Sequence, residues 1–106
     1  MTLDELATIL KSTGYPVAYS HFISDNVPPP PFITYQVDDS ANFFADNRVY
    51  KKISNISIEL YTDKKDLDAE AALESALDAN HLVYETTEVW IEAEKLFQKI
   101  YEIGVV

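Results

Sequence analysis

"KKISNISIELYT", Lys51 to Thr62, decides the fold class. Ile56, Ile58 and Leu60 fall on one side of an extended chain, with Asn55, Ser57 and Glu59 on the other. That period of two marks a half-buried strand, the clearest in the sequence. Upstream, "NVPPPPFITYQV", Asn26 to Val37, sets Pro28 to Pro31 against a second alternating run. There Ile33, Tyr35 and Val37 form the expected core face, opposite Phe32, Thr34 and Gln36. Polyproline is a ligand for aromatic grooves in some proteins, usually on free-standing tails. Here it lies between two predicted strands, where it stiffens the approach and delivers Phe32 in an extended conformation. Prolines donate no ladder hydrogen bond, so pairing is expected to begin at Phe32.

Working outward, "VAYSHF", Val17 to Phe22, reads as a short strand. "DDSANFFADNRVYKK", Asp38 to Lys52, has polar ends and an Asp46-Asn47 pair, which predict turns around an aromatic tip. "LVYETTEVW" and "EKLFQKIYEIGV" read as two closing strands, forming a hairpin around Ile91 to Glu94. Two amphipathic helices complete the set. The first spans Leu3 to Ser12, capped by Thr2 and Glu5, with Leu3, Leu6, Ile9 and Leu10 on one face and Gly14 and Pro16 ending it. The second starts behind Asp63 or Asp66 and runs to about Asp78 or Ala79, with Asn80 as its stop. Its stripe is Ala69, Ala72, Leu73, Ala76 and Leu77, and Asp66, Asp68, Glu70, Glu74 and Asp78 are expected to face water. The expected architecture is α+β, a mostly antiparallel sheet with two helices packed on it, in the order α-β-β-β-α-β-β. The second helix could form a right-handed crossover, and strand order stays open.

At 106 residues and 47% hydrophobic, the chain fits one domain, residues 1–106, with a core of its own. Cysteine is absent, which excludes disulfides and thiolate metal sites. No apolar run approaches the roughly 20 residues of a membrane-spanning helix, so no membrane contact is expected. No basic segment precedes an apolar core at the N-terminus, as expected of a mature cytosolic chain. The net charge of -10, from 18 acidic and 8 basic residues, argues against nucleic-acid binding. The only dense basic patch is Arg48, Lys51 and Lys52. With 7 Tyr, 5 Phe and 1 Trp the composition is that of a folded domain that meets other proteins.

Catalytic readings fare poorly. His21 and His81 have neither metal-ligand spacing nor a nucleophile beside them, and read as strand-end or loop residues. Gly14 and Gly104 cannot form a phosphate-cradling loop. Asp38, Asp39, Asn42, Asp46 and Asn47 offer oxygen donors, but the glycine and the closing glutamate of a calcium loop are missing. No catalytic residue, cofactor or metal is expected. Phe43 and Phe44 carry more information, because adjacent residues of an extended segment cannot share one core face. Either one ring folds back over a sheet edge, or the pair docks on another subunit.

The segments "PPPPFITYQVDDSANFFADNRVYKKISNISIELYTDKKD" and "VYETTEVWIEAEKLFQKIYEI" resemble small tail-completion, head–tail joining or tail-terminator ("minor capsid") proteins of long-tailed phages and prophages of Gram-positive bacteria. The resemblance spans most of the chain and rests on its overall pattern. It implies a non-enzymatic virion protein assembled in the bacterial cytoplasm. It further implies a ring, typically of six copies, at the head–tail junction, between the tail-tube protein and the head-completion or connector proteins. A ring needs two different surfaces of one subunit to meet. The expected contact residues are Phe43, Phe44, Arg48, Lys51 and Lys52 on one side and Asp66, Glu70 and Glu74 on the other. Surplus negative charge would line a lumen through which DNA passes without binding. The competing reading is a small acidic inhibitor or DNA mimic from a mobile element, although Lys64 and Lys65 interrupt its acidic array.

Overall fold

The strand containing Ile58 is the centre of the sheet. It is β3, Arg48–Thr62, and runs antiparallel both to β2, Phe32–Ala45, and to β5, Leu96–Val105. Tyr35 and Tyr101 sit directly beside Ile58 on the two neighbouring strands. β4, Tyr84–Ile91, pairs antiparallel with the outer side of β5, and β1, Val17–Tyr19, adds parallel to β2. The order across the sheet is β1-β2-β3-β5-β4. Helix α1, Leu3–Lys11, precedes β1, and α2, Leu67–Ala79, joins β3 to β4. The element order is the expected α-β-β-β-α-β-β. The coordinates are a computed structural model that describes residues 1–45 and 48–105, with backbone alone at 24, 39–45, 48–54 and 105.

Both helices cover one face of the sheet. Leu6 and Leu10 of α1 and Ala69, Leu73 and Leu77 of α2 are fully buried against Ile33, Ile56, Ile58, Leu60, Tyr101 and Ile103. Burying one such Leu or Ile stabilises by roughly 1.5–3 kcal/mol, so this single layer supplies most of the folding drive. Alternation puts these residues on the same side at a period of two in the strands and of about 3.6 in the helices.

Local sequence sets the helix ends. The Thr2 hydroxyl accepts from the Glu5 N–H at 3.1 Å, and the Glu5 carboxylate accepts from the Thr2 N–H at 3.4 Å, closing the predicted capping box. Gly14 takes φ +87°, the left-handed stop. At α2 the cap is Asp66 rather than Asp63: its carboxylate accepts from the Ala69 N–H at 3.0 Å. Asp66→Ala is therefore expected to cost about 1 kcal/mol of unfolding free energy, read as a lower urea midpoint with an unchanged slope. At the other end His81, with φ 58°, is the left-handed residue, one place beyond the expected Asn80. The reason is the hydrogen-bond pattern: Leu82 N–H reaches Leu77 O at 3.0 Å and His81 N–H reaches Asp78 O at 3.0 Å, a Schellman ending. The Asn80 side chain instead donates to Ala76 O at 2.8 Å.

Two strand boundaries differ from expectation. β1 stops at Tyr19, not Phe22, because Ser20 turns at φ 66° and donates its N–H to Tyr35 O at 2.7 Å. The chain then carries Phe22 over the opposite face of the sheet, where its ring meets Phe32 edge-on at 5.4 Å. Parallel neighbours need a return connection, and residues 20–31, prolines included, supply it before pairing starts at Phe32↔Tyr61.

The second difference is larger. The segment expected to be turns is strand in backbone: β2 and β3 stay paired from Phe32↔Tyr61 to Ala45↔Arg48, with irregularities at Val37/Asp39 and Phe43/Phe44. Polar residues weaken strand preference, but a partner strand overrides that preference. β5 reaches only Ser54↔Val105 and β1 only Tyr19↔Tyr35. Beyond those pairs, among the described residues, β2 and β3 have only each other as strand partners, forming an arm. The molecule accordingly measures 50 × 29 × 23 Å. The turn expected at Asp46-Asn47 lies outside the described residues.

Candidate functional site

The face of the sheet opposite the helices has no covering layer among the described residues. Across its middle run Thr34, Glu59, Ile100 and Thr87, flanked by Gln36, Ser57, Glu102 and Glu85 and by Phe32, Tyr61, Gln98 and Val89. Phe22 lies over one corner, so Phe32 and Thr34 are buried although this is the outer face. Glu59 is held by three donors: Gln98 Nε2 at 2.7 Å, the Tyr61 hydroxyl at 3.0 Å and the Thr34 hydroxyl at 3.4 Å. Burial, with the Glu59 carboxylate beside it, pushes the Tyr61 phenol up to about 12. The Ser57 hydroxyl donates to Asp38. Glu85 and Glu102 stand directly opposite each other on β4 and β5. Like charges so placed destabilise the isolated sheet, which makes the pair informative about function. Among the described residues this face holds Asp38, Glu59, Glu85 and Glu102 and no lysine or arginine.

The helical side carries the compensating cations. Lys99 on β5 bonds Glu70 at 2.8 Å and Glu74 at 3.4 Å, Lys65 bonds Glu70 and Glu88 at 2.8 Å each, and the Tyr101 hydroxyl donates to Glu74 at 2.7 Å. Lys99 Nζ also lies 5.4 Å from the Tyr101 ring centroid. Burial works to raise the Glu70 carboxyl, but the bonds from Lys65 and Lys99 outweigh it and leave it lowered. Burial likewise pulls the Lys99 ammonium down, and its bonds to Glu70 and Glu74 leave it raised. Burial, reinforced by Glu74, drives the Tyr101 phenol far above its ordinary range.

These shifts give stability a plateau. A lowered carboxyl stabilises above its unfolded value, near 4.5 for Glu70, and that contribution disappears as pH falls through the folded value. Raised Tyr61, Tyr101 and Lys99 stabilise below their unfolded values, 10.0 for tyrosine and 10.5 for lysine, and lose this as pH rises. The urea midpoint is expected to stay flat from about pH 5 to pH 9 and to fall on both flanks. Equilibrium unfolding at a series of pH values checks it.

Of the expected contact residues, Phe43, Phe44, Arg48, Lys51 and Lys52 are placed in backbone on the arm, and their side chains lie outside the described residues. The metal-donor reading of Asp39, Asn42, Asp46 and Asn47 falls there too. Asp66, Glu70 and Glu74 share α2, but not as a water-facing row. Glu70 is 8% exposed and committed to Lys65 and Lys99, and Asp66 caps its own helix. The helical repeat puts Glu70 beside the stripe residue Leu73, and only the tertiary fold brings two lysines to it. His81 ends α2 and borders a groove of ≈ 470 Å³ with Tyr84, Glu85 and Glu102. His21 borders another of ≈ 260 Å³ with Phe22, Phe32 and Tyr61. No helix among the described residues is long and apolar enough to cross a membrane. Sequence reasoning missed the exposed edge of β4, where Val89 and Trp90 are 39% and 42% exposed. "TTEVW" shows the strand, but nothing local shows that it lies outermost.

No family model matches the chain, and no curated protein matches it in sequence. Among solved structures, a chain in the virion of a native gene transfer agent particle is similar in fold. The TM-score is 0.63 at 16% identity, over 90% of this chain and 81% of that one. At this identity the likeness concerns the two-layer architecture, and function has to be argued from the surfaces the fold presents.

Proposed function

We propose that this chain is a structural subunit of a phage-like virion, non-enzymatic, which forms a ring at the head–tail junction that joins or terminates the tail tube. The observation that carries the reading is the open sheet face with Asp38, Glu59, Glu85 and Glu102 and no cation among the described residues. Turned inward in a ring, such a face repels the phosphate backbone, so duplex DNA slides past without sticking. The fold shared with a chain of the gene transfer agent virion supports the reading.

The remaining roles follow from the same geometry. The helical layer faces outward, the arm reaches a neighbouring copy, and the two rims meet tail-tube and head-completion proteins. On the arm, Phe43, Phe44, Arg48, Lys51 and Lys52 are the contact residues, and Asp66 and Glu74 belong to the acidic surface that the neighbour presents. Glu70 serves mainly inside its own subunit.

Electron microscopy of particles made with and without this chain tests the reading. Separated heads and tails in its absence are expected, and normal particles would overturn it. Tight binding to a DNA-handling enzyme, with particles intact, would establish the inhibitor reading instead. Phe43→Asp combined with Phe44→Asp is expected to leave the far-UV spectrum and thermal transition in place while particles lose the joint. Loss of the cooperative transition would place these rings in the core.

A further inference from the structure

Among the described residues, two stretches of strand edge have no strand beside them. The first is β4, the outermost strand, eight residues in unbroken register with β5 and without proline. Natural edges this long are usually blunted by bulges, prolines or lysines, because a bare edge templates pairing with another chain. β4 has no bulge, proline or lysine, its charged side chains are Glu85 and Glu88, and Val83 just before it is 86% exposed. The second is the outer edge of β2 past β1. The Val37 N–H is closed by the Tyr19 hydroxyl at 3.2 Å, so the open stretch is residues 38–45, within which the irregularities at Val37/Asp39 and Phe43/Phe44 leave Asp39 to Phe43 as the regular run. A two-stranded ribbon is marginal in water by itself, so the arm is a poor structure until something extends its sheet.

Charge selects what can extend it. At -10 per chain, copies repel one another over most of their surface. The arm, residues 38–54, is an exception: Arg48, Lys51 and Lys52, all on its β3 strand, balance Asp38, Asp39 and Asp46. β4 and its following turn carry Glu85, Glu88, Glu92 and Glu94 against Lys95 and against Lys65, which pairs with Glu88. An acidic edge repels another acidic edge, which disfavours β4-to-β4 pairing, whereas the balanced arm meets no such repulsion and brings Arg48, Lys51 and Lys52 to the contact.

We propose that the outer edge of β2 in the arm adds to β4 of a second copy, so that one sheet continues across the subunit boundary. The contact joins two different surfaces and leaves a free arm and a free β4 at either end, the condition for a closed ring. It deepens the ring reading above and rests on it for closure.

The chain has no cysteine, so single introduced thiols report the contact cleanly. Full-length Asn42→Cys on the arm and Thr87→Cys on β4 are mixed and treated with a short bis-maleimide. The control pairs Asn42→Cys with Thr8→Cys on the exposed face of α1. The 42–87 product is expected about tenfold above the control, and to fall towards it at 1 M salt, where the screening length is about 3 Å. Arg48→Glu, Lys51→Glu and Lys52→Glu together should abolish the excess, and Glu85→Lys with Glu94→Lys in the partner should restore it. A 42–87 yield equal to the control, or one indifferent to charge reversal, overturns the pairing. Rings seen at tail ends with control-level cross-linking would sink this contact alone. Normal particles without the chain would sink the junction role and leave the self-association standing.

Discussion

Ile58→Asp is expected to abolish cooperative folding. Ile58 is 0% exposed at the centre of the middle strand, with Tyr35 and Tyr101 on either side and the helices above. Aspartate removes an aliphatic side chain whose loss alone costs about 2–5 kcal/mol. It also puts a carboxylate into a fully buried apolar cluster, where the group must either stay charged or take up a proton at further cost. Together these approach the whole stability of an ordinary domain, about 5–15 kcal/mol. Circular dichroism should show no sigmoidal thermal transition for the aspartate variant. Ile58→Val, which keeps the shape, should cost only about 0.5–1.5 kcal/mol. A wild-type midpoint for Ile58→Asp would mean that the inner face of β3 is misassigned.

The second large effect is at Lys99. Lys99→Met is expected to lower unfolding free energy by about 3 kcal/mol at neutral pH, the usual result of breaking a largely buried ion pair from one side. Among the described residues Glu70, whose side chain is 10% exposed, is left with Lys65 alone, and Glu74 keeps only the Tyr101 hydroxyl. The penalty comes from the stranded carboxylate, not from lost attraction. Lys99→Met combined with Glu70→Leu should therefore recover most of it, and urea unfolding of the four proteins in a double-mutant cycle measures the coupling. Once pH falls below the Glu70 folded value the carboxyl is neutral in both proteins, so the gap between wild type and Lys99→Met should narrow. A constant gap down to acid pH would mean that Lys99 acts through packing of its stem over Tyr101.

Where the residue pattern and the fold part company, non-local contacts are responsible. Alternation in β3, the capping box at Thr2 and Glu5 and the apolar stripe of α2 are local signals, and each appears at the expected place. Residues 38–45 read as turn because their own polarity disfavours a strand, and only pairing with β3 makes them one. Glu70 reads as a solvent residue because its helix says nothing about β5, from which Lys99 arrives. Phe32 and Thr34 read as outer-face residues, and they are, but Phe22 and Tyr61 bury them there. The acidic open face was half legible, since Asn55, Ser57 and Glu59 alternate away from the core. That Glu85 and Glu102 join it depended on the order β3-β5-β4.

The residue pattern alone was enough for the order of the elements and the apolar faces of β3 and both helices, which depend on neighbours a few residues apart, and composition was enough for the absence of cysteine chemistry and the acidic surplus. Only the tertiary structure decided which strand is outermost, how far the arm overhangs and which carboxylates share the bare face. The place of β5 between β3 and β4, on which these turn, depends on pairings between residues 35 to 51 positions apart, such as Ile58 with Tyr101. Such pairings are chosen by the packing of the whole sheet, and no short window of sequence encodes that choice.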